Sequence, residues 1–341
     1  MIGIISYGFY FPKFRIKSEE IAKTWDKDPM QYKNSLKLEE KAVANSDEDT
    51  ATMAIESSLK IFNSKPEFRQ KVNYVYLGTE TPVYAVNPTS TIIASFLDLK
   101  EEILSLDNQF ACRAATGALA TSFQIAKAGK ENYSLVIASD KANSKPGDVL
   151  EFSAGSGSTA WLIGAGQEVA LEILDSVSIS TDTPDFWRRN KIDYPAHGGR
   201  FTGKPSYFKH ILMASKRILE KNKLQPKDFN KAVFHMPNGK FPRQVAKMLG
   251  FTQEQIQDSL IVDKLGNSYA SSALMGLAAT IPTLNPGDQV FFCSYGSGAG
   301  SDAFIFKATE KIQEIKLDFQ KELNKKEYID YISYRKYMKS L

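Results

Sequence analysis

The sequence predicts an α/β layered fold made of two matching halves. Two observations carry that expectation. Short apolar β-rich runs alternate with helical patterns along almost the whole chain. The order small-residue helix, strand, glycine–serine loop, strand also occurs twice. "CRAATGALATSFQIA" leads to "YSLVIAS" and then "AGSGSTAWLIG", and "NSYASSALMGLAATI" leads to "QVFFCSY" and then "GSGAGSDAFIF". Such a repeat implies duplicated halves packed face to face, with the two small-residue helices touching at the centre. The halves are expected at residues 1–168 and 169–341.

Taken in chain order, "IGIISY", "NYVYLG", "YSLVIAS" and "TAWLIG" read as strands, largely apolar and so covered on both faces. "DEDTATMAIESSLKIF" reads as a helix, with acidic residues at its start and apolar residues spaced by three and four. The second half repeats the rhythm with helix "SYFKHILMASKRILEKN", strand "KAVFH", helix "FPRQVAKML", the second small-residue helix from Asn267, and strands "QVFFCSY" and "DAFIF". The end of the chain, "KIQEIKLDFQKELNKKEYIDYISYRKYMKS", predicts an amphipathic helical tail docked on the body.

The totals narrow the function. A chain of 341 residues holds one large domain or two of ordinary size. Its formal charge of +4 comes without a long block of like charge, which argues against a nucleic-acid surface. Two cysteines, Cys112 and Cys293, offer neither a disulfide framework nor zinc spacing, so a reducing cytoplasm is the expected setting and no metal is expected. "MIGIISYGFYFPKFRIK" lacks the basic leader and cleavage site of a signal peptide. The uncharged run "LGNSYASSALMGLAATIPTLNPG" contains Asn267, serines, threonines and two prolines, and reads as a buried helix, not a membrane span.

Four residues stand where chemistry is possible. Cys112 opens a helix whose Ala114, Ala115, Gly117, Ala118 and Ala120 allow close approach on nearly every side. A thiol there is either a small hydrophobe or a nucleophile whose pKa the helix N-terminus lowers and whose amides can hold an oxyanion. His235 ends a strand-like run before the turn "MPNGKFP", at the carboxyl end where α/β sheets meet ligands. Glu80 follows "NYVYLGT" in the same way; partial burial there makes a carboxylate a general base, whereas exposure makes it a loop residue. Asn267 opens the second small-residue helix and suits an N-cap. Cys293, inside "VFFCSY", reads as structural. His210 reads as a satisfied or surface residue, and His197, on a glycine-rich loop, is open to either reading.

In this order "TETPVYAVNPTSTI", "NQFACRAATGA", "RFTGKPSYFKHI", "VFHMPNGKFP" and "GNSYASSALMGLA" resemble segments of archaeal-type 3-hydroxy-3-methylglutaryl-CoA synthases, members of the thiolase superfamily. The likeness runs from "GIISYGFYFPKFRI" to "SGAGSDAF" and thins beyond about Ile312. It implies the thiolase-like duplicated five-layered αβαβα fold. It also implies condensation of acetyl-CoA with acetoacetyl-CoA and water through an acetyl-cysteine, in the mevalonate route to isoprenoids.

The resemblance makes Cys112 the nucleophile, Glu80 the base for the acetyl methyl, and His235 the residue that binds and protonates the acetoacetyl carbonyl, with Asn267 beside it. Ser153, Thr202 and Ser297 fall at acyl-binding positions, with Ser297 in the oxyanion loop. Arg200 and Lys240 fall at CoA-binding positions, where Lys204 adds a further cation. Asp28 and Arg243 match more weakly, since their surroundings depart from the pattern. Arg113 stands where the family pattern has Lys. No cofactor is implied beyond the CoA thioesters themselves. The implied partners are a second copy of the chain, an acetoacetyl-CoA thiolase and a small acyl-CoA-binding bridging protein.

Three rivals remain at this level. A β-ketoacyl synthase III-like condensing enzyme would use Cys112, His235 and Asn267 without a glutamate base. A cysteine hydrolase shares the chain order Cys, His, Asn but lacks its local signature here. A non-catalytic subunit of an acyl-transfer complex would need none of these residues.

Overall fold

The computed structural model describes residues 1–129 and 131–338. Its strands in the first half are β1 (Ile2–Tyr10), β2 (Phe14–Lys17), β3 (Glu40–Val43), β4 (Val72–Gly78), β5 (Leu104–Asn108), β6 (Tyr133–Lys141) and β7 (Ser156–Ala165). The rest are β8 (Leu171–Thr183), β9 (Phe186–Trp187), β10 (Ala196–His197), β11 (Lys231–Phe234), β12 (Gln289–Cys293), β13 (Gly298–Ala308) and β14 (Glu327–Tyr328).

Nine of them join in the order β11-β12-β13-β8-β1-β7-β6-β4-β5. Outward from the central antiparallel pair β1 and β8, both sides repeat one pattern. β1 pairs antiparallel with β7, β7 antiparallel with β6, and β6 parallel with β4. Likewise β8 pairs antiparallel with β13, β13 antiparallel with β12, and β12 parallel with β11. Among the described residues only the first side carries a further edge strand, β5, parallel to β4.

The apolar strand runs are covered on both faces as their composition requires. All but the ends of β1, β6 and β7 are buried, and Trp161, Tyr7 and Phe9 are fully enclosed. Each such side chain contributes about 1.5–3 kcal/mol on burial. Strand β8 has no such signature. It runs 13 residues with one face largely open, Leu174 included, and its stretch 177–180 alternates apolar and polar, so a reading of largely apolar runs passes over it.

The two small-residue helices run Ala114–Ala128 and Ser272–Thr280, each preceded by a tighter three-residue turn, 111–113 and 269–271. These turns meet at the centre of the molecule. Every residue of the helix Ser272–Thr280 is buried. Gly78 at the end of β4 lets that strand approach the first of these helices, since an added Cβ would stand 2.2 Å from the Ala115 nitrogen. Among the described residues no helix is long and apolar enough to cross a membrane.

The tail departs from the single amphipathic helix expected of it. It is broken into a turn (Glu310–Ile315), helix Phe319–Asn324, strand β14 and helix Tyr331–Tyr337. β14 pairs with β2, so the tail crosses back onto the first half, and Tyr334 and Met338 are buried there. Residues 339–341 of the expected tail lie outside the described residues.

Candidate active site

Glu80 lies two residues past the end of β4, in a turn fixed by one carboxylate. Asp140, near the end of β6 and fully buried, accepts through one oxygen from the Glu80 amide (2.7 Å), the Thr81 amide (3.0 Å) and the hydroxyls of Thr79 and Thr81 (2.9 and 2.8 Å). Its other oxygen accepts from the Ala270 amide at 2.9 Å. Asp140 therefore ties the Glu80 turn to the start of the second small-residue helix.

Cys112 sits in the turn before helix Ala114–Ala128. The residue before it, Ala111, has φ of +45°, a left-handed conformation that costs an L-residue about 1–2 kcal/mol. The residue after it, Arg113, is pinned across the molecule. Its guanidinium donates twice to the buried Asp302 of β13, at 2.9 and 2.8 Å, and once to the Ser180 hydroxyl of β8 at 2.8 Å. Gly296 packs against the Arg113 backbone, where an added Cβ would lie 2.6 Å from its nitrogen. The nucleophile turn and the "GSGAG" loop are thus held together by Arg113.

The Cys112 thiol donates to Glu80 Oε1 at 2.9 Å. Burial, and then the neighbouring Asp140 charge, push Glu80 up to about 8. Burial, and then Glu80, push the Cys112 thiol well above its ordinary value. The expectation that helix amides lower this pKa does not hold in the resting site. The sulfur is enclosed, it faces a carboxylate, and the regular helix begins two residues further on; desolvation and like charge outweigh the helix dipole.

His235 directly follows β11. Its amide donates to the Cys293 carbonyl at 3.0 Å, and its own carbonyl accepts from the Tyr207 hydroxyl at 2.6 Å. Burial pushes the imidazole down to about 3, so it is neutral, and its Nδ1 has no hydrogen-bond partner among the described residues. The Asn267 amide donates to the Ser153 carbonyl at 2.6 Å, and its side-chain oxygen accepts from the Tyr269 amide at 3.1 Å. It is not the helix N-cap that its sequence position suggests, since Ser268 precedes the turn and Ser271 the helix; it braces the turn from one residue further out and lines the cavity.

Cys112, His235, Asn267, Ser153, Thr202, Arg200 and Ser297 line one chamber of about 490 Å³, walled by Tyr207, Tyr295 and Phe241. Glu80 faces an adjoining cavity of about 670 Å³, with Tyr269, Phe186 and Ser297 common to both. The Cys112–Glu80 hydrogen bond crosses that shared wall. His197, left open by sequence, lines the chamber 3.4 Å from Asp148. Lys240 and Lys204 are exposed outside the chamber, Lys240 beside its lining residue Phe241.

Asp28 and Arg243 do not reach the chamber. Asp28 is an exposed N-cap that accepts from the Met30 amide at 2.9 Å, and Arg243 is held by Asp263 in a paired contact at 2.5 and 3.1 Å. Their local hydrogen-bonding needs take precedence. Cys293 is buried in β12, as expected of a structural cysteine. His210 is fully buried and satisfied by Ser206 and Thr181.

Sequence reasoning missed Asp140, Asp185 and Tyr207. Asp140 carried the same signal as Glu80, a carboxylate where an apolar strand ends. Asp185, whose oxygens accept from the Tyr295 hydroxyl and, at 2.9 Å, the Gly298 amide, carried none.

A duplicated α/β sheet with a buried thiol at one helix start and an imidazole and an amide from the other half defines a condensing enzyme of the thiolase superfamily. A family model for the C-terminal part of 3-oxoacyl-[acyl-carrier-protein] synthase III matches residues 219–308. Over the whole chain the sequence is 44% identical to the hydroxymethylglutaryl-CoA synthase of Methanopyrus kandleri, covering 98% of that protein. It is 46% identical to that of Methanosarcina mazei, over 98% of this chain and 97% of the other. A crystal structure of HMG-CoA synthase complexed with CoA superposes with a TM-score of 0.91 at 24% identity, covering 99% of this chain and 90% of that one. The chain belongs to the hydroxymethylglutaryl-CoA synthase family. It is an acyltransferase that condenses acetyl-CoA with acetoacetyl-CoA and water, and the ketoacyl-synthase alternative is set aside.

Proposed function

We propose that Cys112, Glu80 and His235 carry this condensation. The Cys112 thiol attacks the acetyl-CoA carbonyl while its proton passes to Glu80; the tetrahedral intermediate expels CoA, which leaves as the thiol on recovering that proton. Glu80 then removes a proton from the methyl of acetyl-Cys112. The resulting carbanion forms the new bond to the ketone carbon of acetoacetyl-CoA; the oxygen, hydrogen-bonded by the neutral His235 imidazole, takes a proton through that ring, and the proton Glu80 took from the methyl replaces it, so both side chains end as they began. Water finally cleaves the thioester, releasing product and regenerating Cys112. The observation that carries these roles is the 2.9 Å bond from Cys112 Sγ to Glu80 at the wall of the chamber that also holds His235.

Asn267 sits beside His235 at the acceptor carbonyl, and Ser153, Thr202 and Ser297 contact the acyl groups. Arg200 at the mouth, with the exposed Lys240 and Lys204 beyond it, pairs with CoA phosphates. Intact-protein mass after acetyl-CoA alone tests the first step: one acetyl group is expected, absent from Cys112→Ser and present in Cys293→Ser. Acetylation that persists in Cys112→Ser refutes the assignment.

The division at 168/169 falls in the turn between β7 and β8, and the mirrored strand order supports two duplicated halves. The chain works as a homodimer through β5, an edge strand with Leu104 and Leu106 49% and 45% exposed, next to the helix Thr89–Phe96 whose Phe96 is 73% exposed. A solution mass that stays dimeric in Leu106→Glu argues against that face. The thiolase and bridging-protein partners, and the cytoplasmic setting, rest on the resemblance and on two unpaired cysteines.

A further inference from the structure

Two rims form the mouth of the chamber, and the C-terminal helix touches both. One rim is the turn Val149–Phe152, whose Val149 and Leu150, with Ser153 after it, line the chamber. The other is the segment from Pro195 to Gly203, which supplies His197, Gly199, Arg200 and Thr202.

Glu151, in the middle of the first rim, points away from the chamber and is fully buried. One of its oxygens accepts from the Gly147 amide (2.7 Å) and the Trp25 indole (3.0 Å). The other accepts from the Tyr331 hydroxyl at 2.9 Å and faces an Arg335 nitrogen at 3.8 Å. Lys41 of β3, also buried, donates to the Glu151 carbonyl and, at 3.0 Å, to the Tyr334 hydroxyl. Arg335 reaches the second rim as well, donating to the hydroxyl of Tyr194 at 3.0 Å, just before Pro195.

A buried carboxylate persists only when such partners satisfy it. Here two of them, Tyr331 and Arg335, come from one seven-residue helix at the far end of the chain, whose Tyr334 also holds Lys41. The catalytic steps use none of these residues, and nothing in composition or periodicity singles them out.

We propose that the helix Tyr331–Tyr337 is a strap that holds the two rims in register for the nucleotide end of the CoA thioester, with Glu151, Tyr331 and Arg335 as positioning residues. The proposal rests on the reading that this chamber takes acetyl-CoA. Because the strap grips the mouth and not the floor, its loss weakens capture of the long thioester and spares chemistry at Cys112.

The test uses the full-length chain, with acetyl-CoA and with S-acetyl-N-acetylcysteamine, an acetyl thioester lacking the nucleotide. Steady-state rates and Cys112 acetylation are followed in Tyr331→Phe, Arg335→Ala, Arg335→Lys and Glu151→Gln. Removing one such hydrogen bond is expected to raise KM for acetyl-CoA about threefold to tenfold with kcat little changed. Acetylation by the short thioester stays at the parent level, and Arg335→Lys recovers part of the loss. An unchanged KM, or an equal loss with both thioesters, overturns the strap. Should Glu151→Gln fail to fold, Tyr331→Phe, which removes a single hydroxyl, still decides. Failure of acetyl-CoA to acetylate the parent enzyme would instead sink the functional reading, whatever the variants do.

Discussion

Replacing Glu80 by Gln separates two steps that the geometry joins. Glu80 accepts from the Cys112 thiol at 2.9 Å and, with burial, keeps that thiol well above its ordinary pKa. The neutral amide cannot take the Cys112 proton, but it also removes the carboxylate that raises the thiol's pKa, so the proton can leave to solvent in place of Glu80 and acetylation survives. The methyl proton of acetyl-Cys112 then has no base. A positioned general base contributes about 10²–10⁴-fold, or roughly 3–5 kcal/mol of barrier, and the condensation rate is expected to fall by that amount.

The parent enzyme adds a pH signature. Glu80 is pushed up to about 8, so only about a tenth of it is ionised at pH 7, and condensation should rise through pH 8 to a plateau. The assay is rapid mixing of pre-acetylated enzyme with acetoacetyl-CoA, reading product by mass from pH 6 to 9. A flat profile across that range, or simultaneous loss of acetylation and condensation in Glu80→Gln, would refute the reasoning.

Further outcomes follow from other contacts. His235→Ala should retain acetylation and lose condensation about 10²–10³-fold, since a buried neutral donor to the developing alkoxide is gone; parallel loss of both steps would contradict its role. Asp302→Asn breaks the buried pair with Arg113, which costs about 3–5 kcal/mol, so thermal unfolding should shift down by several degrees and acetylation should slow. Glu80→Gln should also change stability with a definite sign. Raised from 4.5 to about 8 in the fold, Glu80 favours the native state only while protonated, and that contribution is lost as pH rises through 8. The variant should therefore melt above the parent near pH 9, by on the order of a few kcal/mol, with the gap closing near pH 4.5. Equal melting temperatures at pH 9 would contradict this burial argument.

Much of the architecture is written locally. The apolar runs of β1, β6 and β7 and the paired small-residue helices follow from periodicity and side-chain size, which neighbouring residues alone decide. Cys112, Glu80, His235 and Asn267 were legible for the same reason. Each sits where a strand ends or a helix begins, and such ends are marked by where the pattern stops. Strand β8 is passed over by a search for apolar runs, because it carries the weaker period-two alternation of a strand with one open face. The broken tail was hidden too, since apolar residues at helical spacing do not reveal a two-residue strand pairing with β2.

Only the tertiary structure decided the rest, because it depends on which distant groups share an enclosed space. The amino-acid order determines that Cys112 opens a helix, and taken alone it favours an acidic thiol. Bringing Glu80 to 2.9 Å in a buried wall reverses that preference, since Coulomb energy and desolvation depend on distance and enclosure, which sequence spacing does not record. The same holds for Asp28 and Arg243, drawn to local partners outside the chamber, and for Glu151, whose partners Tyr331 and Arg335 lie 180 residues and more along the chain.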